Sequence, residues 1–185
     1  ANMTTVAAGL AYAGFIPFTY TITSFNIFKT IEQIKIDICY QNLPVIITGV
    51  GSGLGYSNLG TTHHSIEDIS VLHSFPNLNI ISPADKKELK ALIPQIIKLK
   101  KPTFLRLGKS NEKDVFKKKC FSKIGEPTVV KKGKNICVIG TGNILYNIVL
   151  ATNLIKDKKI NPHIISLHTI KPLNKKKIIN LLKKF

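Results

Sequence analysis

The sequence contains no tryptophan, one methionine, three cysteines and only ten acidic residues against 27 basic ones in 185 residues. No stretch approaches the roughly 18 uninterrupted apolar residues of a membrane span, and no leader pattern with a cleavage site is visible. The cysteines are odd in number and lack metal-ligand spacing, which favours reduced thiols. We therefore expect a globular protein with a cytoplasmic location.

The positive charge has an unusual form. A net charge of +17 would ordinarily indicate a nucleic acid or an anionic membrane as partner. However, Arg106 is the only arginine, and the lysines are scattered through a chain rich in Ile and Asn, as an AT-rich genome would produce. No interleaving of aromatic residues with lysines indicates base stacking. A noncatalytic basic module that binds nucleic acid is retained as an alternative, and it predicts binding that weakens steeply with salt.

Apolar and periodic segments predict the fold class. The hydrophobic fraction of 44% is enough for a proper core. Short apolar runs alternate with helical patterns, which predicts an α/β fold with a parallel sheet covered on both faces. We predict a first domain at 1–110, a basic linker at 111–134 and part of a second, smaller α/β domain at 135–185. The predicted strands lie at 15–21, 45–47, 79–81, 103–107, 136–139 and 163–167.

Helix signals separate these strands. Apolar residues at helical spacing predict a single helix from Phe25 towards residue 42. Ser65 and Asp68 resemble a capping box that starts the next helix. Ser82 as N-cap and Pro83 at the first position predict the start of another helix. Further helices are predicted at 1–13, 144–155 and 175–185.

A glycine-rich stretch between residues 49 and 68 is the centre of the sequence. Five glycines fall within twelve residues directly after an apolar run, and two histidines, His63 and His64, follow. The stretch therefore joins a strand to a helix at the carboxyl edge of the predicted sheet, where ligands bind in such folds. Glycines leave backbone amides open to a ligand, so this loop is the candidate binding site.

The same stretch carries a resemblance that extends over nearly the whole chain. The pattern Gly60-x-Thr62-His63-His64-x-Ile66-Glu67-Asp68, followed by Ser82-Pro83-Ala84-Asp85 and Leu105-Arg106-Leu107-Gly108, resembles the pyrimidine-binding domain of the transketolase family. Thr169-Ile170-Lys171-Pro172-Leu173 extends the likeness into the start of that family's C-terminal domain. The resemblance implies a transferase of carbohydrate metabolism that moves a two-carbon ketol unit between sugar phosphates.

The resemblance also implies a cofactor and a partner. In this family thiamine diphosphate lies between two domains across a subunit interface, and a Gly-Asp-Gly…Asn motif binds the diphosphate and Mg²⁺. That motif is absent here, so the chain matches the half that holds the aminopyrimidine, and the family's activating glutamate would lie just before Ala1. We expect an incomplete portion or one subunit, inactive alone. Its partner would be the N-terminal diphosphate-binding domain or subunit, in a homodimer or a heterotetramer.

Five site residues follow from the resemblance. It implies that Phe25 stacks on the pyrimidine and that Phe28 helps to enclose it, although both could be ordinary core residues on a helix. His63 would be the catalytic histidine that shuttles a proton or holds an oxyanion, and His64 would contact substrate. Arg106 would grip the substrate phosphate, since a bidentate guanidinium is hard for lysine to replace.

Two departures leave the substrate open. Where classical transketolases place a histidine and an aspartate that read sugar hydroxyls, this sequence has Gly49 and Leu59. The loop is also two residues longer than the family pattern. A 1-deoxyxylulose-5-phosphate synthase therefore remains an alternative enzyme. Glu67 and Asp68 are expected to cap a helix and complement its dipole rather than act as acids.

Overall fold

The structure is a computed structural model that describes residues 1–155 and 160–185. The chain divides into two compact units. The first comprises Ala1–Ile81 and Ile96–Asn111, and the second comprises Ser82–Gln95 and Glu112–Phe185. The domain limits at 110 and 134 stay a prediction.

The first unit is built on parallel strands. Its strands are β1 (Phe18–Ile22), β2 (Ile46–Val50), β3 (Asn79–Ile81) and β4 (Thr103–Arg106). They lie in the order β1-β2-β4-β3, and each of these pairs is parallel. Every residue of β2 and β3 is buried, as expected for strands covered on both faces. The predicted α/β fold with a parallel sheet is confirmed.

The helices of this unit are α1 (Asn2–Tyr12), α2 (Thr23–Ile27), α3 (Ile31–Gln33) and α4 (Asp68–His73). The single helix predicted from Phe25 is wrong, because a 3₁₀ turn separates α2 from α3 and a π-helical segment, Ile34–Tyr40, follows. The Thr30 hydroxyl donates to the Asn26 carbonyl within this region. Such side-chain bonds compete with regular helix geometry. Ile27, Ile34 and Ile38 are nevertheless fully buried, as the apolar stripe predicts.

Helix α5 (Lys86–Leu99) starts later than predicted. Ser82 is not its N-cap: the Ser82 amide donates to the His168 carbonyl oxygen at 2.7 Å. The Asp85 carboxylate instead accepts from the amides of Lys87 and Glu88, both at 2.9 Å. Asp85 therefore caps the helix, since it satisfies two of the amides that a helix start leaves unpaired.

The second unit contains a mixed sheet. Its further elements are β5 (Thr128–Lys131), β6 (Ile136–Gly140), α6 (Ile144–Leu154), β7 (Pro162–Ser166), β8 (Thr169–Lys171) and α7 (Lys175–Leu182). Strand β7 pairs in parallel with β6 and antiparallel with β5. Ala84, Val115, Leu145 and Ile164 form a buried apolar cluster. This unit thus combines strands and helices around a core of its own.

One buried carboxylate organises the interior of this unit. Glu88 accepts hydrogen bonds of 2.8 Å from the Ala84 amide and from the hydroxyls of Ser122 and Ser166. Burial raises the pKa of Glu88, and these three donors oppose that shift. Across the described parts of the chain, no helix combines the length and the apolar character needed to cross a membrane.

Candidate functional site

The glycine-rich loop leaves the sheet at the carboxyl ends of β2 and β4. Gly49 is paired with Arg106 in the β2–β4 register. Two further bonds continue the pairing: the Gly51 amide donates to the Gly108 carbonyl at 3.1 Å and the Ser52 amide to the Leu107 carbonyl at 3.0 Å. The start of the loop is thereby fixed to the sheet edge at which ligands bind in α/β folds.

The loop is closed by a second pair of bonds. Gly53 and Ser65 exchange two backbone hydrogen bonds of 2.9 Å each. At Gly51 the backbone has φ +74°, and a Cβ atom would lie 1.9 Å from Cε2 of Tyr56. Only glycine satisfies both conditions, because other residues rarely adopt this conformation and the tyrosine ring occupies the space. The closed loop therefore presents its side chains in a defined arrangement.

His63 lies at the meeting point of this loop and α2. Its ring centroid is 5.0 Å from that of Phe25 and 6.0 Å from that of Tyr56, both edge to face. His63 Nδ1 is 2.9 Å from the Thr62 hydroxyl, and the Ser24 hydroxyl donates to the Thr62 carbonyl at 3.0 Å. The structure thus brings together His63 and Phe25, which are far apart in the sequence.

Phe25 and Phe28 line an open hollow of about 610 Å³. The other lining residues are Ser24, Lys29, Thr61 and Thr62. The two rings are 42% and 37% exposed, so neither is a core side chain. An exposed aromatic pair beside hydroxyl groups suits a flat heterocycle that carries polar atoms.

The His64 side chain contacts the backbone of the glycine-rich loop in which it lies. Its Nε2 lies 3.2 Å from the carbonyl oxygen of Ser57, in the 3₁₀ turn Ser57–Leu59. This contact occupies one ring nitrogen in holding the loop. The substrate contact expected of His64 stays a prediction.

Arg106 has a partner that the sequence did not reveal. Its Nε donates to Asp68 Oδ2 at 2.7 Å, and its Nη2 lies 3.4 Å from Asp68 Oδ1 and from the Ser65 carbonyl. The Asp68 side chain is fully buried, and that of Arg106 is 11% exposed. A guanidinium has five N–H donors, and these contacts use the Nε and Nη2 donors. In the part of the chain that the structure describes, Nη1 therefore remains for a ligand anion.

The capping role expected of Asp68 is wrong. The N-cap of α4 is Glu67, without a side-chain capping bond, and the Asp68 carboxylate pairs with Arg106. Ser65 does not form the predicted capping box either, because its hydroxyl has no hydrogen-bond partner among the described residues. A lone arginine at the edge of a sheet needs a counter-charge. That requirement could have indicated an acidic partner such as Asp68.

Sequence reasoning also missed Tyr56. Its ring packs over Gly51 and contacts His63, and the Lys109 ammonium lies 4.9 Å from the ring centroid. An aromatic residue inside a run of glycines could have been recognised as the element that orders the loop. Gly49 is equally constrained, since a Cβ there would meet the Thr23 hydroxyl oxygen at 2.7 Å.

Comparison with known protein families identifies the family to which this chain belongs. The family model described as "Transketolase, pyrimidine binding domain" matches residues 1–113, and that described as "Transketolase, C-terminal domain" matches residues 125–185. The chain belongs to the transketolase family. The expected resemblance is thereby confirmed over both units.

Individual transketolase-family proteins are similar over most of this chain. A subunit of apulose-4-phosphate transketolase from Phocaeicola vulgatus is 31% identical over 170 residues, which cover 91% of this chain and 54% of that protein. 1-Deoxy-D-xylulose-5-phosphate synthase of Caldanaerobacter subterraneus is 32% identical, and the match covers 99% of this chain but 29% of that protein. A solved structure described as a split-gene transketolase in an inactive β4 tetramer superimposes with a TM-score of 0.87 at 27% identity, covering 99% of this chain and 58% of that one. The chain spans about half the length of the curated transketolase subunit.

Proposed function

We propose that this chain is the pyrimidine-binding half of a thiamine-diphosphate-dependent transketolase that transfers a two-carbon ketol unit between sugar phosphates. The observation that carries the proposal is the hollow at the sheet edge, where exposed Phe25 and Phe28 lie beside the loop of His63. The similarity to a transketolase subunit supports the same proposal.

The residues present fit the aminopyrimidine of the cofactor. Phe25 and Phe28 would hold its ring by their exposed faces, and the hydroxyls of Ser24, Thr61 and Thr62 supply polar groups at the edge of the hollow. When bound, thiamine diphosphate supplies carbanion stabilisation, which no protein side chain provides. The diphosphate and Mg²⁺ would be held mainly by the partner domain or subunit.

His63 is the proposed group for proton movement. Its Nδ1 is engaged with the Thr62 hydroxyl, so among the described residues Nε2 is left to meet a substrate oxygen. The edge-to-face contacts with Phe25 and Tyr56 fix the plane of the ring. A histidine fixed in this way can donate to, or accept from, a hydroxyl of the sugar during transfer.

Arg106 is the proposed phosphate contact. Asp68 holds its Nε and Nη2, so a substrate phosphate would meet Nη1 rather than the two-nitrogen fork expected from the sequence. Asp68 would thus orient the guanidinium, and its carboxylate would partly offset the positive charge that the phosphate meets. Because the guanidinium is fixed, Nη1 would donate to a phosphate in one orientation, so the geometry of the hydrogen bond as well as the charge would select the ligand.

The alternative activity is that of a 1-deoxyxylulose-5-phosphate synthase. It is favoured by the 32% identity to such an enzyme and by Gly49 and Leu59 at positions where classical transketolases read sugar hydroxyls. The experiment assembles this chain, extended at its N-terminus by the segment expected to carry the activating glutamate, with its diphosphate-binding partner and supplies Mg²⁺ and cofactor. Ketol transfer from a ketose phosphate to an aldose phosphate supports the proposal. Release of CO₂ from pyruvate with a triose phosphate would establish the alternative instead.

A further inference from the structure

The second unit contains a cleft that the candidate site does not use. Its volume is about 450 Å³, a size that accommodates a small organic ligand. Among the described residues, nine line the cleft, of which four are lysines and none is acidic. The lining residues are Val115, Phe116, Lys117, Lys118, Lys119, Val130, Lys131, Val149 and Asn153.

One wall of the cleft is held in place by Asp85, at the start of α5, and by Lys87 within that helix. The Asp85 carboxylate accepts from the amides of Val115 at 2.8 Å and Phe116 at 2.9 Å. The Lys87 ammonium donates to the carbonyls of Phe116 at 2.6 Å and Lys117 at 3.2 Å. The backbone at 115–117, where the lysine segment begins, is therefore held by side chains of the same unit before any ligand arrives, which lowers the entropic cost of binding.

The floor and the rim of the cleft have opposite character. Val115 belongs to the buried apolar cluster of this unit, and Val130 and Val149 pack against that cluster. Three consecutive exposed lysines, 117–119, stand at the rim. The nearest carboxylate along this segment, Asp114, is paired with Lys86 at 3.2 Å and Lys87 at 3.0 Å. Among the described residues the three rim lysines form no ion pair, although the Lys119 ammonium lies 5.5 Å from the Phe121 ring centroid, so the rim can meet an anion and the floor an apolar group.

We propose that this cleft binds a small organic anion with an apolar body. The anionic group would lie among the rim lysines, and the apolar body would cover the valine floor and gain the usual free energy of burying apolar surface. A compact inorganic anion would gain only the ionic part and would bind more weakly. The site is independent of the cofactor hollow, since the two share no residue.

The test uses the 185-residue chain and the fluorescent probe 8-anilinonaphthalene-1-sulfonate, an anion with an aromatic body. The cleft variant Lys118→Gln/Lys131→Gln is compared with Lys175→Gln/Lys176→Gln, which removes the same charge from α7. We expect a saturable probe site whose Kd rises about tenfold in the cleft variant, equivalent to about 1.4 kcal/mol, and changes by less than about twofold in the control. Far-UV circular dichroism verifies that both variants are folded.

Two further measurements separate the proposal from general charge attraction. Asn153→Trp fills the cleft without changing the charge, and it should weaken probe binding about as much as the lysine variant. Decanoate should displace the probe, whereas pyrophosphate at the same concentration should not. Equal weakening in both lysine variants, unchanged binding in Asn153→Trp, or displacement by pyrophosphate as readily as by decanoate would each overturn the proposal. Displacement by single-stranded DNA with steep salt dependence would also overturn it, in favour of nucleic-acid binding.

Discussion

At the scale of single residues, the exposure of Phe25 excludes a role as an ordinary core side chain. A ring that is 42% exposed contributes little to the core, so its removal is expected to leave the fold intact. In the protein assembled with its partner, Phe25→Ala should weaken thiamine diphosphate binding about tenfold, as expected for the loss of one aromatic contact. Calorimetric titration measures this affinity.

Phe121→Ala is the matched control for this prediction. Phe121 is 77% exposed and lies in the second unit, so its removal should leave cofactor affinity unchanged. Unfolding of Phe25→Ala, or equal loss of affinity in both variants, would show that Phe25 is not a cofactor contact.

The residue pattern indicated the position of the candidate site better than the contacts within it. The glycine loop was indicated by its own residue types and spacing, whereas Phe25, His63 and Arg106 were expected from the family resemblance, and their roles stay predictions. The Arg106–Asp68 pair was not expected, since a contact across 38 positions leaves no local pattern. The same holds for the packing of Tyr56 on Gly51, which depends on how the loop closes.

At the scale of secondary-structure elements, the pair of Arg106 and Asp68 joins the end of β4 to the start of α4. Asp68 is fully buried and Arg106 is 11% exposed, so removing either partner leaves a buried charge without its counter-ion. We expect Asp68→Ala and Arg106→Ala each to lower the free energy of unfolding by about 3 kcal/mol. The double variant should lose at least about 1 kcal/mol less than the sum of the two single losses. Urea denaturation of the wild type, the two single variants and the double variant measures these losses. Strictly additive losses would contradict an interaction between Asp68 and Arg106.

Asp85 has a comparable role at the start of α5. Its carboxylate accepts from four amides, two in the helix and two at Val115 and Phe116. Asp85→Ala should lower the free energy of unfolding by about 3 kcal/mol, because it removes a helix cap and leaves buried donors unpaired. Asp114→Ala, which breaks only exposed ion pairs, should have a much smaller effect. Similar losses in the two variants would disprove the anchoring role of Asp85.

Element boundaries show what the sequence could not resolve. Ser82-Pro83 is a strong local signal for a helix start, yet Ser82 is engaged with His168 and Asp85 takes the capping position. The periodic isoleucines predicted one helix, but a 3₁₀ turn and a π-helical segment interrupt it. At the start of α5, tertiary hydrogen bonds outweighed local propensity. In the isoleucine-rich segment, the hydrogen bond from the Thr30 side chain accompanies the break in the helix.

At the scale of the whole molecule, stability should depend on the titration of His168. This residue is fully buried, and burial lowers its pKa from 6.5 to about 4, against a backbone hydrogen bond to Glu126. Between these values the unfolded chain binds a proton that the folded chain does not, so stability falls as the pH falls from 6.5 to 4. The full effect is on the order of 3 kcal/mol.

Urea denaturation of the wild type and of His168→Gln over this pH range isolates the histidine contribution. Glu88, whose pKa is raised, acts in the opposite direction, because its stabilising contribution is lost as the pH rises. That contribution is common to both proteins and cancels in their difference. A wild-type-minus-variant difference that does not change with pH would show that His168 does not titrate as described.

The central claim is that this chain supplies one half of a shared catalytic site. The measurement that tests it most directly is ketol transfer between sugar phosphates, with Mg²⁺ and thiamine diphosphate, by the chain alone and by a longer chain that carries the activating glutamate ahead of Ala1, mixed with the diphosphate-binding partner. The account predicts no turnover from the chain alone and metal-dependent turnover from the mixture, because the proposed partner holds the diphosphate and the metal. Equal turnover by the purified chain without the partner would contradict it.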